Sequence, residues 1–109
     1  MNRGDVVVAT GPGFGNKPRP FVVMQADSYA MLSTVILLPI TTELAVPPSR
    51  LRVRLEPDTR NGLRRLSEVM TDIPVTVRPD KVDQHVGKLN QDELRRVEQA
   101  LLLVLGFAG

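Results

Sequence analysis

Thr34-Val35-Ile36-Leu37-Leu38-Pro39-Ile40 is the most apolar run of the chain. A continuous apolar run of strand length reads as a β-strand buried on both faces. Thr41-Thr42-Glu43 stand at its exit, and a polar, proline-rich stretch follows through Pro47-Pro48-Ser49, so the chain leaves the core there. Upstream, Phe21-Val22-Val23-Met24 reads as a second strand, entered through Lys17-Pro18-Arg19-Pro20. Proline donates no ladder hydrogen bond, so the interior of this strand is expected to begin after Pro20. Arg19 is then held at a strand entrance and stiffened by a proline on either side. Earlier still, Asp5 to Thr10 is a β-rich run ended by Gly11-Pro12-Gly13-Phe14-Gly15-Asn16. Three glycines and a proline in six residues make that segment a loop.

Downstream, Leu51-Arg52-Val53-Arg54-Leu55 alternates strictly. Leu51, Val53 and Leu55 are expected to enter the core, with Arg52 and Arg54 on the other face. Glu56 to Gly62 reads as a turn. Ser67 to Thr71, Pro74 to Val77 and His85 to Leu89 read as further short strands. The period then changes. Asn90, with Glu93 three residues on, is a helix N-cap with its capping-box partner. Leu94, Val97, Leu101 and Val104 recur at helical spacing, and Gly106 is a helix stop. Several short strands and one terminal helix predict a mainly β fold with a C-terminal helix, a small barrel with helical cover, forming a single domain over residues 1–109.

Composition narrows the function. With no cysteine and one histidine, His85, a disulfide scaffold, a thiolate metal site and a two-histidine acid–base pair are excluded within one chain. No metal and no cofactor are expected. No run approaches the ~18 apolar residues of a membrane span, and Met1 to Ala9 lacks the pattern of a secretory signal. A soluble, cytoplasmic protein is the expectation, with no membrane partner. The net charge is only +2, but Arg50, Arg52, Arg54, Arg60, Arg64 and Arg65 crowd one region. That crowding fits either a solvated strand face or a nucleic-acid partner.

The glycine-rich loop lacks the Lys-Ser/Thr of a phosphate cradle, and no serine-centred nucleophile elbow occurs. Catalysis must therefore use carboxylates, hydroxyls, arginines or backbone groups. Three polar clusters lie near strand ends: Lys17 with Arg19, Thr41 with Thr42, and Ser67 with Thr71 and Asp72. Each also has a plain structural explanation as surface charge, β-propensity or loop capping.

In order along the chain, Gly4-Asp5-Val6-Val7, Lys17-Pro18-Arg19-Pro20-Phe21-Val22-Val23 and Leu38-Pro39-Ile40-Thr41-Thr42 resemble the opening half of MazF/PemK toxins of type II toxin–antitoxin systems. Gly62-Leu63, Ser67, Val69 and the Asp72 region resemble that family's next stretch more loosely. Val86-Gly87-Lys88-Leu89 and the Leu94–Gly106 segment resemble its ending. The resemblance implies an SH3-like small barrel, a homodimer, and a metal-independent endoribonuclease that cleaves single-stranded RNA sequence-selectively. Cleavage would leave 2′,3′-cyclic phosphate and 5′-hydroxyl ends. The family's catalytic arginine and threonine map onto Arg19 and Thr41. A cognate antitoxin with a disordered, acidic tail is the implied protein partner.

That chemistry suits these residue types. The RNA's 2′-hydroxyl is the nucleophile, so the protein need only meet charge developing on phosphoryl oxygens. A guanidinium offers fixed donors to such oxygens and stays charged at any working pH. For RNA binding, Phe14 is a candidate stacking platform in a loop that would act as a flap. Lys17, Thr42, Arg52 and Arg54 are candidates for binding the strand, the cations among them by tracking phosphates. Ser67, Thr71 and Asp72 are candidates for reading base edges. One departure stands out: Thr71-Asp72-Ile73-Pro74-Val75 lacks the glutamine and second arginine usual in the family. The alternatives are a CcdB-like gyrase poison on the same barrel, whose C-terminal tryptophan motif is missing here, and a catalytically inactive interaction barrel.

Overall fold

The computed structural model describes residues 1–11, 15 and 17–108. β1 (Asp5–Ala9), β2 (Arg19–Val23) and β3 (Val35–Thr41) form consecutive antiparallel pairs. The other edge of β3 is divided. Its first half pairs with β6 (Val75–Val77) and its last residues pair with β5 (Ser67–Met70). β4 (Arg52–Leu55) adds to β5, and β7 (Val82–Lys88) adds to β1. The order is β4-β5-β3-β2-β1-β7, with β6 beside β3. Splitting one edge between two strands turns the sheet on itself, the arrangement of a small barrel. α1 (Gln91–Val104) follows β7. Among the described residues no helix is long and apolar enough to cross a membrane.

Side chains of the central strands alternate between two apolar clusters. Val6, Val22, Leu38 and Ile40 join Val53, Leu55, Val69, Leu89, Val97 and Ala100. Val7, Ala9, Phe21, Val23, Val35, Leu37 and Val77 form the second cluster on the opposite face. Both faces of β3 are thus buried, as its apolar run implies, except at Ile36, which joins neither cluster and is 41% exposed. Each fully buried leucine or phenylalanine here contributes about 1.5–3 kcal/mol relative to exposure.

Two boundaries differ from the sequence expectation. β2 begins at Arg19 rather than after Pro20, and Pro20 pairs with Val8. Pairing of β2 with β3 starts only at Phe21, so a missing N–H at Pro20 falls at the end of that ladder. The last strand begins at Val82, three residues before His85, because Val82, Gln84 and His85 all find partners on β1. Val104, placed by periodicity on the buried helix face, is exposed, and Ala100 and Glu93 are buried instead. The helix begins with the expected capping box: Asn90 accepts from the Glu93 N–H at 2.7 Å, and Glu93 accepts from the Asn90 N–H at 2.9 Å. It ends where Gly106, at φ 83°, donates to the Leu103 carbonyl and Phe107 donates to that of Leu102, the pairing of a Schellman stop.

The segment from Glu56 to Gly62 is more than a surface turn. Asn61 is fully buried; its Oδ1 accepts from the N–H groups of Asp58 (3.1 Å) and Leu63 (3.0 Å), and its Nδ2 donates to the Glu56 carbonyl at 2.8 Å. The segment lies directly on β7, where Lys88 N–H donates to the Arg60 carbonyl at 2.9 Å. A Cβ at Gly87 would fall 2.4 Å from the Asn61 backbone, closer than atoms can pack. Gly87→Ala should therefore force the two backbones apart and lower the unfolding free energy by about 1–3 kcal/mol. Urea denaturation at fixed protein concentration measures this, and a midpoint equal to the parent's would show that the loop retreats at no cost.

Candidate active site

The alternation that sends Ile40 into the core sends Thr41 to the opposite face of the sheet. Thr41 pairs with Glu68 on β5, and Glu68 pairs with Arg54 on β4. The β2–β3 register, carried two residues beyond Phe21 and Pro39, sets Arg19 across from Thr41. One polar row of Arg19, Thr41, Glu68 and Arg54 thus crosses four strands. The adjacent row, Ile40, Val69 and Val53, packs into the core. Arg19, Thr41, Thr42, Glu43 and Arg52 line a single open pocket of about 440 Å³, with Pro39, Ile40 and Met70 as its apolar walls.

The charges in this pocket are not equivalent. Arg19 is exposed, and its side chain makes no hydrogen bond or ion pair with a described residue. Thr41 Oγ1 accepts from the Glu43 N–H at 3.0 Å. That bond fixes the hydroxyl oxygen and leaves its hydrogen free to donate. Arg52, by contrast, is tethered. Its Nη1 donates to the Glu43 carbonyl and to Glu68 Oε1, each at 3.2 Å.

Glu68 is the buried centre of the row, at 3% exposure. Its Oε1 also accepts from the Ala45 N–H at 2.9 Å, and its Oε2 accepts from Arg54 Nη2 at 3.0 Å. Burial pulls its pKa up, but the Ala45 N–H and the guanidiniums of Arg54 and Arg52 outweigh burial and hold it below the ordinary glutamate value. The carboxylate is therefore charged in the folded protein near neutral pH.

The other residues proposed from sequence fall in different places. Thr42 and Arg52 reach the pocket, whereas Arg54 lines a second groove with Arg50, Arg96, Gln99 and Leu103, to which Arg52 also contributes. Ser67 and Thr71 do not line the pocket. Both are buried, Ser67 Oγ donates to the Arg65 carbonyl at 2.8 Å, and Thr71 Oγ1 donates to the Leu51 carbonyl at 2.7 Å. Lys17 and Asp72 are exposed but do not line the pocket. Phe14 lies outside the described residues. Glu68 and Glu43 escaped the sequence reading. The signal for Glu68 was a lone carboxylate inside a β segment with two arginines in the alternating strand before it.

Residues 2–105 match the family described as PemK-like, MazF-like toxin of type II toxin–antitoxin system. The chain belongs to this toxin family. A probable endoribonuclease MazF of Mycolicibacterium smegmatis is 36% identical to this toxin over 110 residues, spanning all of both chains. A mycobacterial endoribonuclease solved in complex with its cognate antitoxin superposes with a TM-score of 0.85 at 18% identity, covering 100% of this chain and 98% of that one. MazF from a MazE–MazF crystal of Deinococcus radiodurans gives 0.78 at 19% identity, covering 97% and 96%. The Mycobacterium tuberculosis toxin MazF-mt6 gives 0.79 at 21% identity, covering 94% and 96%. At such identities the structural likenesses carry the fold, and they bear out the barrel-with-helix expectation.

The lowered pKa of Glu68 has a stability consequence for the toxin. Because the native value lies below the unfolded one, its contribution is fully present above a pH of about 4.5 and is lost as the pH falls through the native value. Glu68→Gln should be less stable than the parent at neutral pH, by about 3 kcal/mol as for a broken buried ion pair. The gap should narrow on acidification below that range. Chemical denaturation of both proteins at a series of pH values checks this, and a gap independent of pH would contradict it.

Proposed function

We propose that this chain is a metal-independent, sequence-selective endoribonuclease of single-stranded RNA. In this reading the RNA's 2′-hydroxyl attacks the adjacent phosphorus, loses its proton and forms a 2′,3′-cyclic phosphate. The 5′-oxygen leaves and takes up a proton to become a 5′-hydroxyl. The observation that supports it best is the convergence on one pocket of the Arg19 guanidinium, which has no partner among the described residues, and a donor-ready hydroxyl, Thr41. Both offer hydrogen bonds to the phosphoryl oxygens, where charge builds in the transition state. With a pKa above about 12, Arg19 serves as a fixed charge and not as a proton acceptor. The activity named for the M. smegmatis relative agrees with this reading.

The active form in this proposal is a homodimer of one-domain chains in the cytoplasm, held inactive by a cognate antitoxin. Leu102, Leu105 and Phe107 are exposed at the end of α1 and are apolar surface for a second copy to cover. The arginine-lined groove beside β4 suits an acidic antitoxin tail.

Arg19→Ala and Thr41→Ala should each lower cleavage of single-stranded RNA by about 100- to 1,000-fold, the usual cost of one lost oxyanion donor. Sedimentation should show the parent's oligomeric state. Cleavage at the parental rate in either variant removes that residue from the mechanism. Untouched RNA together with inhibited gyrase supercoiling would replace the ribonuclease reading with gyrase poisoning.

A further inference from the structure

We infer that Glu68 is a positioning residue of this site, acting through Arg52 and the 43–45 segment to hold the pocket rim in its substrate-ready shape. The inference rests on the ribonuclease reading and adds a residue that touches no substrate. Glu68 is buried behind the pocket, and three donors converge on its two oxygens. Oε1 receives the Ala45 N–H at 2.9 Å and Arg52 Nη1 at 3.2 Å, and Oε2 receives Arg54 Nη2 at 3.0 Å. The backbone of Glu68 is meanwhile laddered to Thr41. A single carboxylate thus ties together the strand that carries Thr41, the segment just after it, and the second guanidinium of the pocket.

The tether has a direction. Arg52 is held by one terminal nitrogen, which is shared between Glu68 and the Glu43 carbonyl. Its other terminal nitrogen and Nε have no partner among the described residues. A guanidinium gripped at one edge presents its other edge in a fixed orientation. Glu43, whose carbonyl takes part in this grip, also donates the N–H that orients the Thr41 hydroxyl at 3.0 Å. The path from Glu68 to a reacting group is therefore short: Glu68 to Arg52, Arg52 to the Glu43 carbonyl, and the Glu43 N–H to Thr41. Glu68 also neutralises charge. It is paired to Arg52 and Arg54, whereas Arg19 has no ion-pair partner among the described residues, so an anion is drawn to Arg19 in preference to its neighbours.

The test is a pair of double-mutant cycles read in kcat/KM on a long single-stranded RNA of mixed sequence. It is run at a temperature where circular dichroism shows every variant folded. Glu68→Gln keeps the shape and one acceptor oxygen but loses the charge that grips two guanidiniums. It should lower kcat/KM by about 10- to 100-fold, the scale of a misplaced catalytic group. Combined with Arg52→Ala it should cost no more than Arg52→Ala alone, because both changes break one path. Combined with Arg54→Ala the losses should add. A purely structural role would make Glu68 couple to both arginines alike, and that result overturns the inference.

Arg52→Lys gives a second arm that leaves Glu68 in place with its Ala45 and Arg54 bonds. Lysine keeps the charge but lacks the fork, so a loss of similar size is expected, and parental kcat/KM overturns the role. An active parent with an equally active Glu68→Gln overturns the positioning role alone. A parent that cleaves no RNA overturns the ribonuclease reading and this role with it.

Discussion

β3 has to serve three strands at once. Its Val35–Leu37 half pairs with β6, its Ile40–Thr41 end pairs with β5, and its opposite edge pairs with β2 through Leu37, Leu38 and Pro39. Register on one edge therefore limits register on the other. A slip by one residue would turn Leu38 and Ile40 out of the helix-side cluster and bring Thr41 into it. The two apolar clusters make such a slip costly, since each buries several side chains that would all be exposed together. The placement of Thr41 at the rim is thus a by-product of how the core packs. Arg19 is fixed by the same logic through Phe21, which is fully buried two residues along β2.

On this frame the polar row solves a problem of like charges. Arg52 and Arg54 share β4, Arg19 stands on β2 across the same row of strands, and like charges on one face repel one another. A carboxylate at Glu68 joins two of them and is itself stabilised by the Ala45 N–H. Burying a single carboxylate is expensive, and here three donors offset that cost. The contacts are asymmetric: two cations are paired within the protein, and the third has no partner among the described residues. Arg54 is nearly half exposed, so its pairing is partly screened by solvent.

Much of this was legible in the residues, because local rules and tertiary packing agree. The apolar run around Leu37 and Leu38, the alternation of Leu51 to Leu55 and the Asn90–Glu93 box each state their structure within a few residues. Arg19 and Thr41 were legible through an ordered resemblance, and their meeting in one pocket follows from the β2–β3 register. What escaped depends on partners distant in sequence. Glu68 becomes meaningful only when β5 lies between Thr41 and Arg54, contacts separated by 27 and 14 positions along the chain. The burial of Ser67 and Thr71, and the carbonyls their hydroxyls meet, were hidden for the same reason. Arg54 shares the parity of Arg52, yet Arg52, paired with Met70, lines the pocket and Arg54 does not.

Asn61 and Gly62 form a dipeptide whose asparagine, in an open chain, is prone to cyclise onto the following backbone nitrogen and lose ammonia. In the native toxin that amide is fully buried, and its nitrogen is bonded to the Glu56 carbonyl. The Gly62 nitrogen is itself engaged with the Asp58 carbonyl at 3.1 Å. Both reacting partners are thereby held out of reach of each other. Were the reaction to proceed, the resulting carboxylate would sit against Glu93, whose Oε2 lies 3.5 Å from the present amide nitrogen, and two buried anions would oppose refolding. Cyclisation at this dipeptide therefore requires the 56–62 segment to open first.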